Sequence, residues 1–290
     1  MNFNFSQSRL YKFWWFVRER EQVRLRKALD IRHVPAQDDT ISRYHFCNVD
    51  REDDRVTRWI RLFVRDRFAP STPLHEIVFR LLVARVFNEP QSLAQLVWAA
   101  SANDMIRVIR QLRKAQIPVY RGVYMIVPHN STESTDTYYP RLLFRIRKAL
   151  RQDQRIREQG DVLAPMLETV AAVLLDQPDI GPFLANQVCT DLRYVPAISW
   201  QWADTATFVL PGPGTKRGLN RLLGLPLSRQ LPDGHATSLI LKLRRTNAVV
   251  PKSMFYDPNN LANCLCEFDK YCRVRERPAS ARVRVYAPTL

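Results

Sequence analysis

A chain of 290 residues, 46% of them apolar, is long enough for one large domain or two tightly joined ones, and its composition excludes wholesale disorder. Forty-four Lys and Arg against 28 Asp and Glu leave a net charge of +16. That surplus points to a polyanionic partner, because basic side chains gain affinity by releasing counterions from phosphates; a basic surface kept for solubility is the alternative.

No apolar run approaches the ~20 residues that span a membrane, and the aromatic, Arg-bearing segment 1–20 lacks a small-residue cleavage site, so the chain reads as cytoplasmic. The arginines are spread along the chain, which favours a folded basic face. Five cysteines, an odd number, read as reduced thiols. Cys264, Cys266 and Cys272 fit no zinc or iron–sulfur spacing, and the five histidines show no metal pattern either; no metal and no cofactor is expected.

In chain order, helices are predicted over Arg9–Leu29, Asp50–Arg67 and Leu74–Phe87, the last apolar all round. One or two more fall within Ser92–Ala115. Val119–Val127 is the one stretch rich in strand formers and predicts a short β-hairpin or an extended approach to a site. His129–Thr137 reads as loop. Helices recur at Pro140–Glu158, Asp161–Leu175, Ile180–Leu192, Trp200–Val209, Lys216–Leu223, Ala236–Arg245 and Pro258–Arg275. The fold class is therefore all-α, with residues 1–276 as a single large helical domain and 277–290 as a basic tail lying on the surface or on DNA.

The most specific local signal is the run from Val209 to Leu222. An apolar helix end leads into Gly212-Pro213-Gly214, and a new helix opens at Thr215 or Lys216. This is the pattern of a helix-hairpin-helix. Gly212 and Gly214 are able to take positive φ and admit a ligand close to the backbone. The unpaired amides of the next helix, with Lys216, Arg217 and Arg221 around them, would cradle a phosphate of double-stranded DNA. Gly218 would let the motif's helices approach. A plain Gly-Pro-Gly turn is the competing reading, and a P-loop is excluded because G-x4-G-K-[ST] does not occur.

Three polar constellations stand out beyond packing needs. Arg51, Arg55 and Arg58 form a stripe at i, i+4 and i+7 suited to a phosphate or pyrophosphate, or else a solvated charged face, while Asn48 or Asp50 caps the helix. On the last helix Asn260, Asn263, Glu267 and Lys270 share a face with Asp269 beside it. There Glu267 or Asp269 is a plausible general base, against the reading of a capped, salt-bridged helix. Asp191 and Arg193 lie together in a third cluster.

Taken in order, the segments RYHFCNVDREDDRVTRWI, GPFLANQVCTDLRY, GPGTKRGLNRLLG and NNLANCLCEFDKYCRVR resemble phage DNA base-hypermodification proteins, the alpha-glutamyl/putrescinyl-thymine pyrophosphorylase group. The chain looks most similar to its amino acid:DNA transferase branch; a sister branch is associated with 5-hydroxymethyluracil DNA kinases. The resemblance implies a helix-hairpin-helix DNA glycosylase-like fold and base flipping. It also implies transfer of an amine, such as an amino acid, onto a pyrophosphate-activated 5-hydroxymethyluracil in DNA.

On that reading Arg51, Arg55 and Arg58 would hold the leaving group. Asp191 and Glu267 or Asp269, with Lys270, would serve the amine or base edge, and Asn48 and Asn263 would orient it. Other hypermodification enzymes are expected partners. Base excision is disfavoured because Asp233, the acid nearest the glycosylase position, sits in what reads as a turn. A kinase-associated or glycosylase-like protein acting on the same base, and a non-catalytic DNA-binding module, are the alternatives.

Overall fold

The computed structural model describes residues 4–29, 38–121, 126, 132–247 and 251–276. Of the segments read above as hairpin, loop and tail, residues 122–125 and 127, residues 129–131 and the whole of 277–290 lie outside the described residues, and the expected loop gives way to helix at Thr135. The helices in chain order are α1 (Gln7–Ala28), α2 (Asp39–Arg43), α3 (Arg55–Phe63), α4 (Leu74–Phe87), α5 (Pro90–Leu96), α6 (Ala102–Lys114) and α7 (Thr135–Gln152). They continue as α8 (Gln154–Arg157), α9 (Leu167–Leu175), α10 (Pro182–Leu192), α11 (Pro213–Leu223), α12 (Asp233–Arg244) and α13 (Pro258–Glu276). The described residues form no sheet, so the fold is all-α. The chain divides into two compact units, one of residues 1–54 with 206–290 and one of residues 55–205.

The first unit is built on α13. Every third or fourth residue of α1 is apolar, and that stripe buries Phe13, Phe16 and Val17 completely. Phe13 and Phe16 meet the Phe268 ring at centroid distances of 5.4 and 5.7 Å, and Phe16 meets Tyr271 at 4.8 Å. Each such ring contributes about 1.5–3 kcal/mol by burial. The most extensive helix pair is α11 against α13.

Gly214 and Gly218, one turn apart, make that approach possible. A Cβ on Gly214 would strike the Cys266 thiol, and one on Gly218 would lie 2.8 Å from the Leu265 carbonyl carbon and nearer still to its oxygen. Both glycines therefore serve helix packing. Gly212 caps α11 at φ −73° and ψ 170°, an ordinary extended conformation, and the helix opens on Pro213, where the missing N–H is no loss. The expected positive φ is absent from the turn. It occurs instead at Gly224 (φ 73°), which ends α11.

The second unit wraps α4, whose residues from Ile77 to Phe87 are all buried, with α7 and α10 packed against it. The Asp204 carboxylate accepts hydrogen bonds from the Leu167 and Glu168 amides, both at 2.9 Å, and so caps α9.

Two predicted helices are corrected. Residues 200–209 form turns and extended backbone, so no helix precedes Gly212 and the first arm of a helix-hairpin-helix is missing. Side chains take the carbonyls a helix would need: Arg193 donates to Thr205 O and the Thr205 hydroxyl to Trp202 O, both at 2.8 Å, and Arg244 donates to Ala206 O. The helix expected over Asp50–Arg67 is broken into a 3-10 turn at Arg51–Asp53, α3, and a second 3-10 turn at Arg65–Arg67. The break falls at Asp54, which is extended (ψ 137°) because its carboxylate turns back to accept from the Asn48 amide at 3.0 Å.

Candidate functional site

Two faces of α13 gather most of the residues singled out in the sequence. The first grips the extended segment 45–51 by its backbone. The Asn260 side-chain Oδ1 accepts from the Arg51 backbone amide at 3.0 Å, and the Asn263 side chain donates to Asn48 O at 3.2 Å. Glu267 accepts from the Cys47 amide at 3.2 Å, and Lys270 donates to His45 O at 2.6 Å. Lys270 also pairs with Glu267 at 3.0 Å and sits over the Phe46 ring. The polar line expected to do chemistry is thus a clip for a neighbouring chain segment. Most of the segment lies outside any helix, so its backbone N–H and C=O groups need partners, which explains why amides and charges are held there.

The second face is an arginine hub. Asp269 is fully buried, and three guanidinium groups converge on it through their Nε atoms: Arg217 at 2.8 Å, Arg221 at 2.9 Å and Arg273 at 3.1 Å. Arg221 also reaches Glu276 at 2.6 Å. Burial works against the Arg221 charge, but its bonds to Glu276 and Asp269 more than offset that and hold its pKa above the ordinary value. The hub carries three positive and two negative charges. The Arg217 and Arg273 side chains remain 37% and 48% exposed. Each of these two guanidinium groups is thus tied to the carboxylate by Nε while its side chain stays partly exposed, an arrangement that suits phosphate oxygens. Beside the hub, a cavity of about 340 Å³ is lined by Arg9, Lys12, Arg221 and Gly224 among others.

The remaining site residues fall elsewhere. Thr215 is buried and donates to Ala262 O at 3.0 Å, tying α11 to α13 rather than facing a ligand. Lys216 pairs at 2.6 Å with Asp233, which is the first residue of α12 and not part of a turn. Arg51 lies in the 3-10 turn and bonds with Asp54, whereas Arg55 and Arg58 are exposed on α3, so the three do not share one helix. Asp191 belongs to the second unit. It is fully buried and held in a fork by Arg85 at 2.5 and 2.6 Å, with Arg65 at 3.9 Å, which is the geometry of a structural ion pair.

The hub itself was recoverable from the sequence: Arg217 and Arg221 are spaced i, i+4, as are Asp269 and Arg273, but the pairing of those two helices was not. Among the described residues no group of three or more His, Cys, Asp and Glu side chains is gathered to hold a metal, and no helix is long and apolar enough to cross a membrane.

No curated protein matches the chain, and neither does any solved structure. A family model does: the one described as the helical domain of 5-hmdU DNA kinase matches residues 7–281. The match corrects the transferase branch favoured by the sequence motifs and selects its sister branch, so the chain belongs to the family of 5-hmdU DNA kinase helical domains.

Proposed function

We propose that this chain handles duplex DNA for phosphorylation of 5-hydroxymethyluracil, holding the substrate strand while a phosphoryl group is transferred to the hydroxymethyl oxygen of the base. The observation that carries the reading is the hub around Asp269. A buried carboxylate fixes Arg217 and Arg273 in advance, so little side-chain entropy is lost when a phosphate docks on them. The sequence contains no G-x4-G-K-[ST] run for nucleotide phosphates, which leaves the DNA as the substrate this chain is built to hold. Gly214 and Gly218 contribute by letting α11 lie against α13 and so placing Arg217 and Arg221 on Asp269.

The test is a salt series of binding isotherms with duplexes containing 5-hydroxymethyluracil or thymine. If Arg217 and Arg273 each hold one phosphate, Arg217→Gln with Arg273→Gln lowers the slope of log K against log salt by about 1.8, and weakens binding about 60-fold at ~0.1 M salt. Unchanged affinity and slope would refute the role of the hub. Amine transfer onto a pyrophosphate-activated base is the competing chemistry. An amino-acid adduct on such DNA, seen by nucleoside mass spectrometry, would favour it over phosphorylation.

A second reading rests on the Lys216–Asp233 pair. A side-chain amine next to a carboxylate that is 65% exposed suits glycosylase-like work on the same base. Strand scission at 5-hydroxymethyluracil after alkali, abolished by Asp233→Asn, is the result that would support it.

A further inference from the structure

The second unit carries a basic surface that the hub does not use. Helix α6 exposes Arg107, Arg110, Arg113 and Lys114, and its neighbour α7 exposes Arg141, Arg145, Lys148 and Arg151. The two helices run antiparallel, because Arg113 near the end of α6 pairs with Asp136 in the first turn of α7 at 3.0 Å, while Arg147 reaches back to Ala100 O ahead of α6. Most of the carboxylates present sit at the ends: Asp104 takes Arg107, Asp136 takes Arg113 and Glu133 takes Arg141, while Glu76 of α4 takes the half-buried Arg147. Among the described residues no carboxylate pairs with Arg110, Lys114, Arg145, Lys148 or Arg151.

A solvated helix face of ordinary kind alternates its charge signs at i, i+4, which stabilises the helix; here Arg141, Arg145 and Lys148 place like charges one turn apart, which costs stability. Rigid anchorage makes the cost bearable. The opposite side of α7 buries Tyr139, Leu142, Leu143, Ile146 and Leu150, and α6 buries Met105, Ile109 and Leu112.

From this unopposed charge we infer that the α6–α7 face is a second docking surface for the phosphate backbone of duplex DNA. The dimensions agree. From Arg141 to Arg151 α7 rises roughly 15 Å, at ~1.5 Å per residue, and one DNA strand places about four phosphates along that length of axis. Binding would be independent of sequence, since such contacts grip the backbone without reading base edges. The inference rests on duplex DNA being the ligand, as proposed above, but on neither the hub nor the base chemistry.

The experiment compares full-length wild type with Arg145→Gln/Lys148→Gln and Arg110→Gln/Lys114→Gln, each binding duplex DNA over a salt series. Arg217→Gln/Arg273→Gln runs in parallel. Each surface pair is expected to lower the salt slope by about 1.8 and the affinity about 60-fold at ~0.1 M salt, with thermal unfolding unchanged. Arg145→Lys/Lys148→Arg, which keeps the charge, should bind like wild type. Unchanged duplex binding in both surface variants overturns the inference, including the case where they lose capture by an acidic protein instead. If the surface variants weaken binding and the hub variant does not, the hub reading fails and the second surface stands. The opposite pattern keeps the hub and removes the second surface.

Discussion

Gly218→Ala tests the packing that places the hub. A methyl group there would sit 2.8 Å from the Leu265 carbonyl carbon and 3.0 Å from its Cβ, nearer still to the carbonyl oxygen. The oxygen belongs to the backbone of α13 and cannot rotate away, so α11 must retreat as a body. That movement strains the Thr215–Ala262 and Arg221–Asp269 hydrogen bonds, now 3.0 and 2.9 Å. Overpacking of this kind costs ~3 kcal/mol at the upper end of its usual range, a weakened hydrogen bond adds ~1, and the better helix propensity of alanine returns ~1. The net expectation is a loss of about 3 kcal/mol, or roughly 10 °C in Tm.

Gly214→Ala provides the contrast. Its new methyl meets the Cys266 side chain, so the double variant Gly214→Ala/Cys266→Ala, which leaves a Cβ–Cβ contact of 3.3 Å, should recover most of the stability. Leu265→Ala cannot rescue Gly218→Ala, because the carbonyl remains. Urea denaturation followed by far-UV circular dichroism reads both effects. Wild-type stability in Gly218→Ala, or its rescue by Leu265→Ala, would refute the argument that backbone contact fixes this glycine.

Three further outcomes are expected. Asp269→Asn leaves three guanidinium groups without their shared buried carboxylate and should cost about 3–5 kcal/mol in urea melts. Removing the α13 clip with Asn263→Ala should cost about 1–2 kcal/mol but leave the salt slope of DNA binding intact; a changed slope would return that residue to the ligand site. The third concerns pH. Burial, with repulsion from Arg151 and Arg147 opposed by Glu76, holds the His75 pKa below its ordinary value. The unfolded chain therefore binds the proton more readily, and the stability His75 contributes when neutral is lost as pH falls from about 6.5 through the folded value. The urea midpoint should drop over that window, and less so in His75→Gln.

The helices were largely legible in the sequence, the site much less so. The apolar run of 74–87 marks α4 to the residue, and Asn88 in the left-handed conformation ends it where the run stops. Periodicity fails where side chains compete with the backbone for its own hydrogen bonds. Asp54 breaks one predicted helix by capturing the Asn48 amide, and Arg193, Thr205 and Arg244 prevent another.

For the site, the sequence singled out residue types but not the partners they meet. Asn260, Asn263, Glu267 and Lys270 were visible as a polar face, but only long-range contact shows that segment 45–51 occupies it. Asp191 has the makings of a catalytic acid until Arg85 is seen across 106 residues of chain. The i, i+4, i+7 spacing of Arg141, Arg145 and Lys148 went unremarked in the sequence, because only the exposure of α7 sets it apart from the arginines scattered along the chain.

The division of the first unit between the two ends of the sequence also sets the order in which the protein can be made. The rings of Phe13 and Phe16 complete their packing only when Phe268 and Tyr271 have been synthesised. At ~5–20 residues per second that delay is on the order of 10–50 s, long enough for the continuous second unit to fold by itself first. During the wait the aromatic stripe of α1 lacks the α13 rings that cover it in the folded unit. A ribosome stalled between α10 and α13 would leave behind a folded second unit joined to a sticky N-terminal helix.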